Sequence, residues 1–196
     1  MQGDSPEKRR YGLRFAMALG TAHVVAAALV VFSVSQVAPA VGALLPRKAV
    51  LLALAGAAVA GMLIDAQAAS KRRWSLGWAR QTPKHLQYLG EHAWITPYAW
   101  GFDSGLIVTT YRVSFTSWLL LLLALAGVAP PWAGVIYGIA FAIPLLVVTR
   151  MVNTRFHHPS AAIRAFTAAP VQVAAMVSML LIVVALILVL GSGAIA

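Results

Sequence analysis

Five polar side chains within apolar parts of the chain have types suited to binding a polar solute inside a membrane. They are His23, Asp65, Thr109, Arg112 and Thr116. An arginine or aspartate at the centre of a spanning helix costs about 2.5–3.5 kcal/mol, so it needs a partner, water or a route to the interface. An inward-facing guanidinium favours an anionic solute. The set therefore predicts a polar cavity that opens to the cytoplasm.

A simpler interpretation lets Arg112 and Asp65 extend their side chains to the membrane headgroups. Arg112 lies seven residues after Gly105, which is about 10 Å along a helix. On a continuous helix, the spacing from Gly105 through Thr109 and Arg112 to Thr116 forms one polar stripe. The lone histidine of the first apolar run suits either packing or proton transfer. The sequence leaves open whether Arg112 and Asp65 line a cavity or extend to the headgroups.

The elements that must position these residues are long apolar helices. The chain has 196 residues, of which 61% are hydrophobic and 10% charged, whereas soluble domains carry roughly 25% charged residues. A spanning helix needs about 20 residues. The sequence predicts an all-α, polytopic membrane helix bundle that forms a single domain over residues 1–196, with five spans at about 13–36, 49–67, 105–128, 132–149 and 170–194.

Basic residues predict the orientation of this bundle. Twelve of the 15 lysines and arginines fall in the N-terminal segment up to Arg14 or in the second and fourth connections, and two fall in the first connection. Because cytoplasmic segments collect positive charge, the N-terminus is predicted in the cytoplasm and the C-terminus outside, in the inner (plasma) membrane. The first run exceeds the usual signal-peptide core of roughly 7–15 residues, so we expect a retained helix.

The connection over residues 68–104 is basic and rich in tryptophan, which is typical of a segment at the headgroups. Alternatively, it is a cytoplasmic lid for an anionic substrate. Its candidate functional residues are Arg80, Lys84, His85, Glu91, His92 and Asp103. Asp103 and Ser104 are predicted to cap the start of the third span.

Several classes of function are disfavoured by what the sequence lacks. It has no cysteine, which excludes disulfides and thiolate metal sites. It has no phosphate-binding loop, dinucleotide fingerprint, nucleophile elbow or zinc-protease motif. We therefore predict no metal and no cofactor. The net charge is +10, and the charged residues lie mostly between apolar runs. This favours anionic lipids at the cytoplasmic face over nucleic acid as the partner.

Two further patterns bear on assembly. Gly134, Gly138 and Ala142 are spaced by four residues and form a small-residue ridge, which packs either another helix of the chain or a second copy. The fifth run has no charged residue and faces lipid or a partner. A homo-oligomer or a membrane-protein partner is predicted.

Three functions fit these features. The first is a small transporter or transporter subunit, possessing the cavity described above and taking an anionic solute. The second is a non-catalytic subunit that assembles or anchors a larger membrane complex. The third is an intramembrane enzyme acting on a lipid-linked substrate through acid–base groups of the 68–104 connection. An enzyme is the least favoured of the three, because the spacing of those groups is not diagnostic.

Overall fold

The structure is a computed structural model that describes residues 6–70, 94–107, 114–143 and 169–192. The described residues form helices and turns, and no strand occurs among them. This confirms the all-helical class for the part of the chain that is described. In chain order the helices are α1 (Pro6–Ser35), α2 (Ala38–Leu44), α3 (Arg47–Ser70), α4 (Thr96–Gly105), α5 (Thr116–Leu125), α6 (Ala133–Ile143) and α7 (Ala169–Gly191).

Within the described residues, three helical stretches are long and apolar enough to cross a bilayer. They are Leu13–Leu44, Arg47–Ala68 and Val173–Gly191, which match the first, second and fifth predicted spans. Shorter apolar helices occupy Thr116–Leu125 and Ala133–Ile143. These helices are compatible with a membrane protein, while the count of five spans and their orientation stay predictions.

The described helices group into two compact units. The first unit contains α1 up to Val30, α4 and α6 from Gly134 onward. Its helices approach closely because small residues lie at their contacts. A Cβ on Gly138 of α6 would lie 2.6 Å from Cα of Val24, and one on Gly20 would lie 3.1 Å from Cβ of Ala142. The predicted ridge on α6 therefore packs against α1 of the same chain.

The second unit contains the end of α1 together with α2, α3, α5 and α7. Its core joins one face of α3 to one face each of α5 and α7. On α3 the buried positions recur every three or four residues, as expected for a helix with a single packed face. The core residues are Val50, Leu51, Leu54, Ala58, Leu119, Leu123, Met179, Val183 and Leu186.

The predicted third span is not one continuous helix. Helix α4 ends at Gly105, where the span was predicted to begin, and α5 begins at Thr116. Ile107 has φ 44°, a left-handed conformation that a β-branched residue rarely adopts and that ends a helix. The stripe from Gly105 to Thr116 therefore does not lie on one helix.

The predicted role of Asp103 and Ser104 as a helix N-cap is also wrong. Both residues lie in the last turn of α4, near its C-terminus. The helix begins instead at Thr96, where Pro97 stands at one of the first helical positions. Proline favours this place because its nitrogen has no hydrogen to leave unbonded. Consequently part of the 68–104 connection is itself helical.

Candidate functional site

The carboxylate of Asp65 lies buried near the end of α3 and binds the start of α5. The Ser114 hydroxyl donates to Oδ2 at 2.5 Å. The backbone N–H of Phe115 donates to Oδ1 at 2.9 Å and to Oδ2 at 3.1 Å. The side chain of the N-cap residue Phe115 makes no capping bond of its own. Asp65 instead binds the backbone of this residue from another helix, and its negative charge lies at the positive end of the α5 dipole.

Ser114 extends this network to Thr116. The backbone N–H of Thr116 donates to Ser114 Oγ at 3.0 Å, and the two hydroxyl oxygens are 2.8 Å apart. Since the Ser114 proton points to Asp65, the Thr116 hydroxyl is the donor to Ser114. Asp65 and Thr116, both predicted site residues, thus belong to one hydrogen-bonded group.

A close contact holds this network in place. A Cβ on Gly61 would collide with the ring of Phe115. Gly61 lies four residues, or about one helical turn, before Asp65 on the same face of α3. The glycine lets the Phe115 ring lie directly on α3, which brings the Phe115 N–H within reach of the carboxylate.

The other end of α5 is also held by α3. Helix α5 ends in a motif in which Val128 N–H donates to Leu123 O at 2.8 Å and Gly127 N–H to Ala124 O at 3.0 Å. Gly127 has φ 65°, the left-handed conformation that this C-terminal motif requires. The remaining Ala126 carbonyl accepts from Arg47 Nη1 at 3.3 Å.

Arg47 and Asp65 therefore bind opposite ends of α5, which requires α3 and α5 to be antiparallel. The cation lies at the negative end of the α5 dipole and the anion at the positive end, and both placements are stabilising. In the sequence Arg47 indicates only topology, and Ser114 and Gly61 are not among the predicted site residues.

His23 forms a second polar centre, inside the first unit. The imidazole is fully buried in α1, and its Nδ1 lies 3.0 Å from Oγ of Ser104 in α4. The Ser104 hydroxyl donates to the Gly101 carbonyl at 2.9 Å, so Nδ1–H is the donor in the pair. On α6, Phe141 stacks on the imidazole with centroids 3.8 Å apart and planes 12° apart. Tyr137 lies at 6.3 Å.

The backbone of α4 approaches α1 closely beside this histidine. A Cβ on Gly105 would lie 2.5 Å from the His23 carbonyl oxygen, and a Cβ on Gly101 would collide with the Leu19 carbonyl. The spacing of four residues between these glycines is the small-residue pattern of close helix pairs. It positions Ser104 so that its hydroxyl reaches the imidazole. This pattern is present in the sequence, but the predicted small-residue contacts did not include it.

A groove of about 690 Å³ lies beside this centre, between α1 and α4. Its walls are mostly apolar, with Tyr98 and Phe102 on one side and Val25 on the other. Asp103, one of the predicted loop residues, lies on its lining together with Thr21. The groove therefore offers an apolar surface with one carboxylate.

The remaining predicted residues lie outside the described residues. These are Thr109 and Arg112 from the cavity, and Arg80, Lys84, His85, Glu91 and His92 from the 68–104 connection. His23 and Asp65 have separate sets of described neighbours, one in each unit. A cavity that joins all five polar residues stays a prediction.

A prediction for His23 follows from its bond to Ser104. Replacing Ser104 with alanine removes the acceptor for Nδ1–H and should lower the free energy of unfolding by about 1 kcal/mol. Ser178→Ala is the matched control, because its hydroxyl donates to Ala174 O within its own helix and should cost less than about 0.5 kcal/mol. Thermal unfolding of both variants in mild detergent provides the measurement. Equal losses of stability in the two variants would mean that the contact with His23 contributes nothing to the free energy of unfolding.

Comparisons with known proteins do not place the chain in a family. No family model, no curated protein and no solved structure matches it. Functional interpretation therefore depends on the residues and contacts described above.

Proposed function

We propose that the chain is a small multi-pass transporter, or the membrane subunit of one, located in the inner (plasma) membrane. It has five spans with the N-terminus in the cytoplasm and the C-terminus outside. Its solute site lies at the cytoplasmic side of the third span, near the start of α5. The observation that carries this proposal is the buried Asp65 carboxylate bound to the start of α5.

Non-helical backbone inside the predicted third span supports a solute site in that span. In hydrocarbon every backbone N–H and C=O needs a partner, so non-helical backbone occurs there only when buried or facing a water-filled cavity. Within the predicted span over 105–128, the described residues 106–107 and 114–115 are not helical. Transporters use such breaks to present backbone groups to their solutes.

The length of α3 supports a site near one membrane surface. Asp65 follows Arg47 by 18 residues, or about 27 Å along a helix. The hydrocarbon core is about 30 Å thick. If Arg47 lies at the outer headgroups, Asp65 lies close to the cytoplasmic boundary, where water and solute have access.

The bond between Asp65 and α5 leaves the predicted cavity residue Arg112 as the candidate group that meets an anion. The N-terminus of α5 already binds the carboxylate of Asp65, so it does not attract a second anion. Arg112 lies two residues before Ser114. Its guanidinium would supply the positive charge for an anionic solute, with Asp65 keeping the start of α5 fixed.

The test uses the full chain reconstituted in vesicles. Chloride, phosphate, succinate and glutamate are each supplied as a concentration jump on a supported membrane, and the charge moved is recorded. At least one anion should give a saturable current. Arg112→Ala should reduce it by at least about tenfold, the loss of one charge-assisted contact, while Arg112→Lys should retain part of it. Lys48→Ala, a charge on the opposite predicted side, is the control.

Two results would contradict the proposal. One is a saturable current that Arg112→Ala leaves unchanged in correctly folded protein. The other is the absence of current for all four anions, both from the chain alone and from the chain reconstituted with any membrane protein that purifies with it in fixed stoichiometry. The second result would instead establish the alternative of a non-catalytic subunit.

The subunit alternative has one observation in its favour. Helix α7 packs against α3 and α5 through Met179, Val183 and Leu186, and the rest of its surface exposes large apolar side chains such as Leu181 and Leu188. Such a face suits lipid or an apolar partner helix. The α6 ridge gives this alternative no support, because it packs against α1.

A further inference from the structure

A second groove, of about 570 Å³, lies inside the second unit. It is bounded by the end of α1, the short helix α2, the start of α3 and the turn that follows α5. Its lining includes Ser35, Gln36, Gly42, Arg47, Pro130 and Pro131. The groove is separate from the Asp65 network, which lies at the other end of α3.

The chemistry of this lining suits an anion. Arg47 is the only charged residue among the described residues that line the groove. Its guanidinium carries five N–H donors, and its bond to the Ala126 carbonyl is long, at 3.3 Å. Ser35 and Gln36 add a hydroxyl and an amide. An exposed guanidinium with no acidic group on the same lining favours a phosphate, which it can bind through two parallel hydrogen bonds.

The position of the groove favours a phosphate that is attached to a lipid. The apolar stretch Leu13–Leu44 ends beside the groove, and the stretch Arg47–Ala68 begins there. If both stretches cross the membrane, the guanidinium lies at the level of the headgroups. Next to the lining residues in sequence, Leu44 is 80% exposed, Leu45 52% and Trp132 60%. Acyl chains that cover such side chains bury apolar surface, which is favourable, whereas a free anion buries none.

We propose that this groove binds one membrane phospholipid, with its phosphate on Arg47 and its acyl chains over Leu44, Leu45 and Trp132. The bound headgroup would connect α2 to the α3–α5 pair at the surface opposite to Asp65. This site does not depend on the transport proposal, because it uses no residue of the predicted solute cavity.

The test measures phosphatidylglycerol retained by the full chain in mild detergent, using native mass spectrometry at rising lipid concentration. The unaltered chain should retain one lipid. Arg47→Ala should weaken retention by about tenfold, the effect of losing a charged hydrogen-bond donor. Lys48→Ala removes an adjacent exposed charge that does not line the groove and should change retention by no more than about twofold.

A third variant blocks the groove and keeps the charge. Gly42 lines it, and a Cβ built on Gly42 meets no atom within 4 Å, so Gly42→Leu should fold and reduce retention as strongly as Arg47→Ala. If Arg47→Ala does not fold, Gly42→Leu decides. Equal effects of the Arg47 and Lys48 variants, or normal retention by Gly42→Leu, would overturn the site. Displacement of the lipid by millimolar inorganic phosphate alone would show a free-anion site and overturn the lipid assignment.

Discussion

Replacing Asp65 with alanine is expected to lower the free energy of unfolding by about 3 kcal/mol. The substitution removes the acceptor for the Ser114 hydroxyl and the Phe115 N–H, which bind it at 2.5 and 2.9 Å. Each buried donor left without a partner costs about 1–3 kcal/mol, and the favourable charge at the α5 N-terminus is lost as well. Unfolding of the reconstituted chain in mixed micelles, followed by circular dichroism, measures the change.

Two variants make this result specific to the α5 cap. Gln67→Ala changes an exposed residue two positions further along α3 and should stay within about 0.5 kcal/mol of the unaltered chain. Ser114→Ala removes one of the two donors and should cost less than Asp65→Ala. The double variant should lose less stability than the sum of the two single losses, because the residues share one network. Full additivity would contradict the cap.

The same variants separate a structural role of Asp65 from a role in transport. Asp65→Asn keeps the shape of the side chain and one oxygen acceptor, so it should retain more stability than Asp65→Ala. If solute-driven current is lost in a stable Asp65→Asn variant, the charge itself serves transport. If current follows stability across the series, Asp65 acts by fixing the start of α5 and leaves solute binding to Arg112.

The long helices were predictable because their signal is local and strong. A run of about 20 apolar residues is sufficient to indicate a spanning helix, and the first, second and fifth runs are indeed helical. Asp65 and His23 were predicted to need a partner, water or a route to the interface, and whether Asp65 is buried or reaches the headgroups was left open. Both side chains are buried. Their partners were harder to predict. Ser114 is 49 residues from Asp65 and Ser104 is 81 from His23, and no pattern within one helix encodes such contacts.

The interruption of the third span was missed because hydropathy does not register backbone geometry. Residues 105–128 are apolar enough to span as a group, but a glycine at the end of α4 and a left-handed Ile107 stop the helix within it. A local signal was present, since Thr96-Pro97 and Gly105 mark a short helix by its preferred start and end. The tryptophan-rich composition of the 68–104 connection instead predicted a segment at the membrane surface.

Replacing Gly101 with alanine is expected to lower the free energy of unfolding by about 2 kcal/mol. The new methyl group would collide with the Leu19 carbonyl, and the neighbouring atoms are backbone atoms of α1, which cannot rotate away. Overpacking of this kind costs about 1–3 kcal/mol. Because α4 must then move away from α1, the contact between Ser104 and His23 should lengthen. Thermal unfolding measures the first effect, and the imidazole NMR shifts of His23 report the second.

Gly56→Ala is the matched control, and it should raise the free energy of unfolding. It makes the same chemical change inside α3, where a new Cβ meets no atom within 4 Å, and alanine favours a helix over glycine by up to about 1 kcal/mol. The two variants should therefore differ by about 3 kcal/mol. If Gly101→Ala proved as stable as Gly56→Ala, α4 would not pack on α1 at Leu19. His23 would then lack the neighbour that supplies Ser104, and its burial would depend on α6 alone.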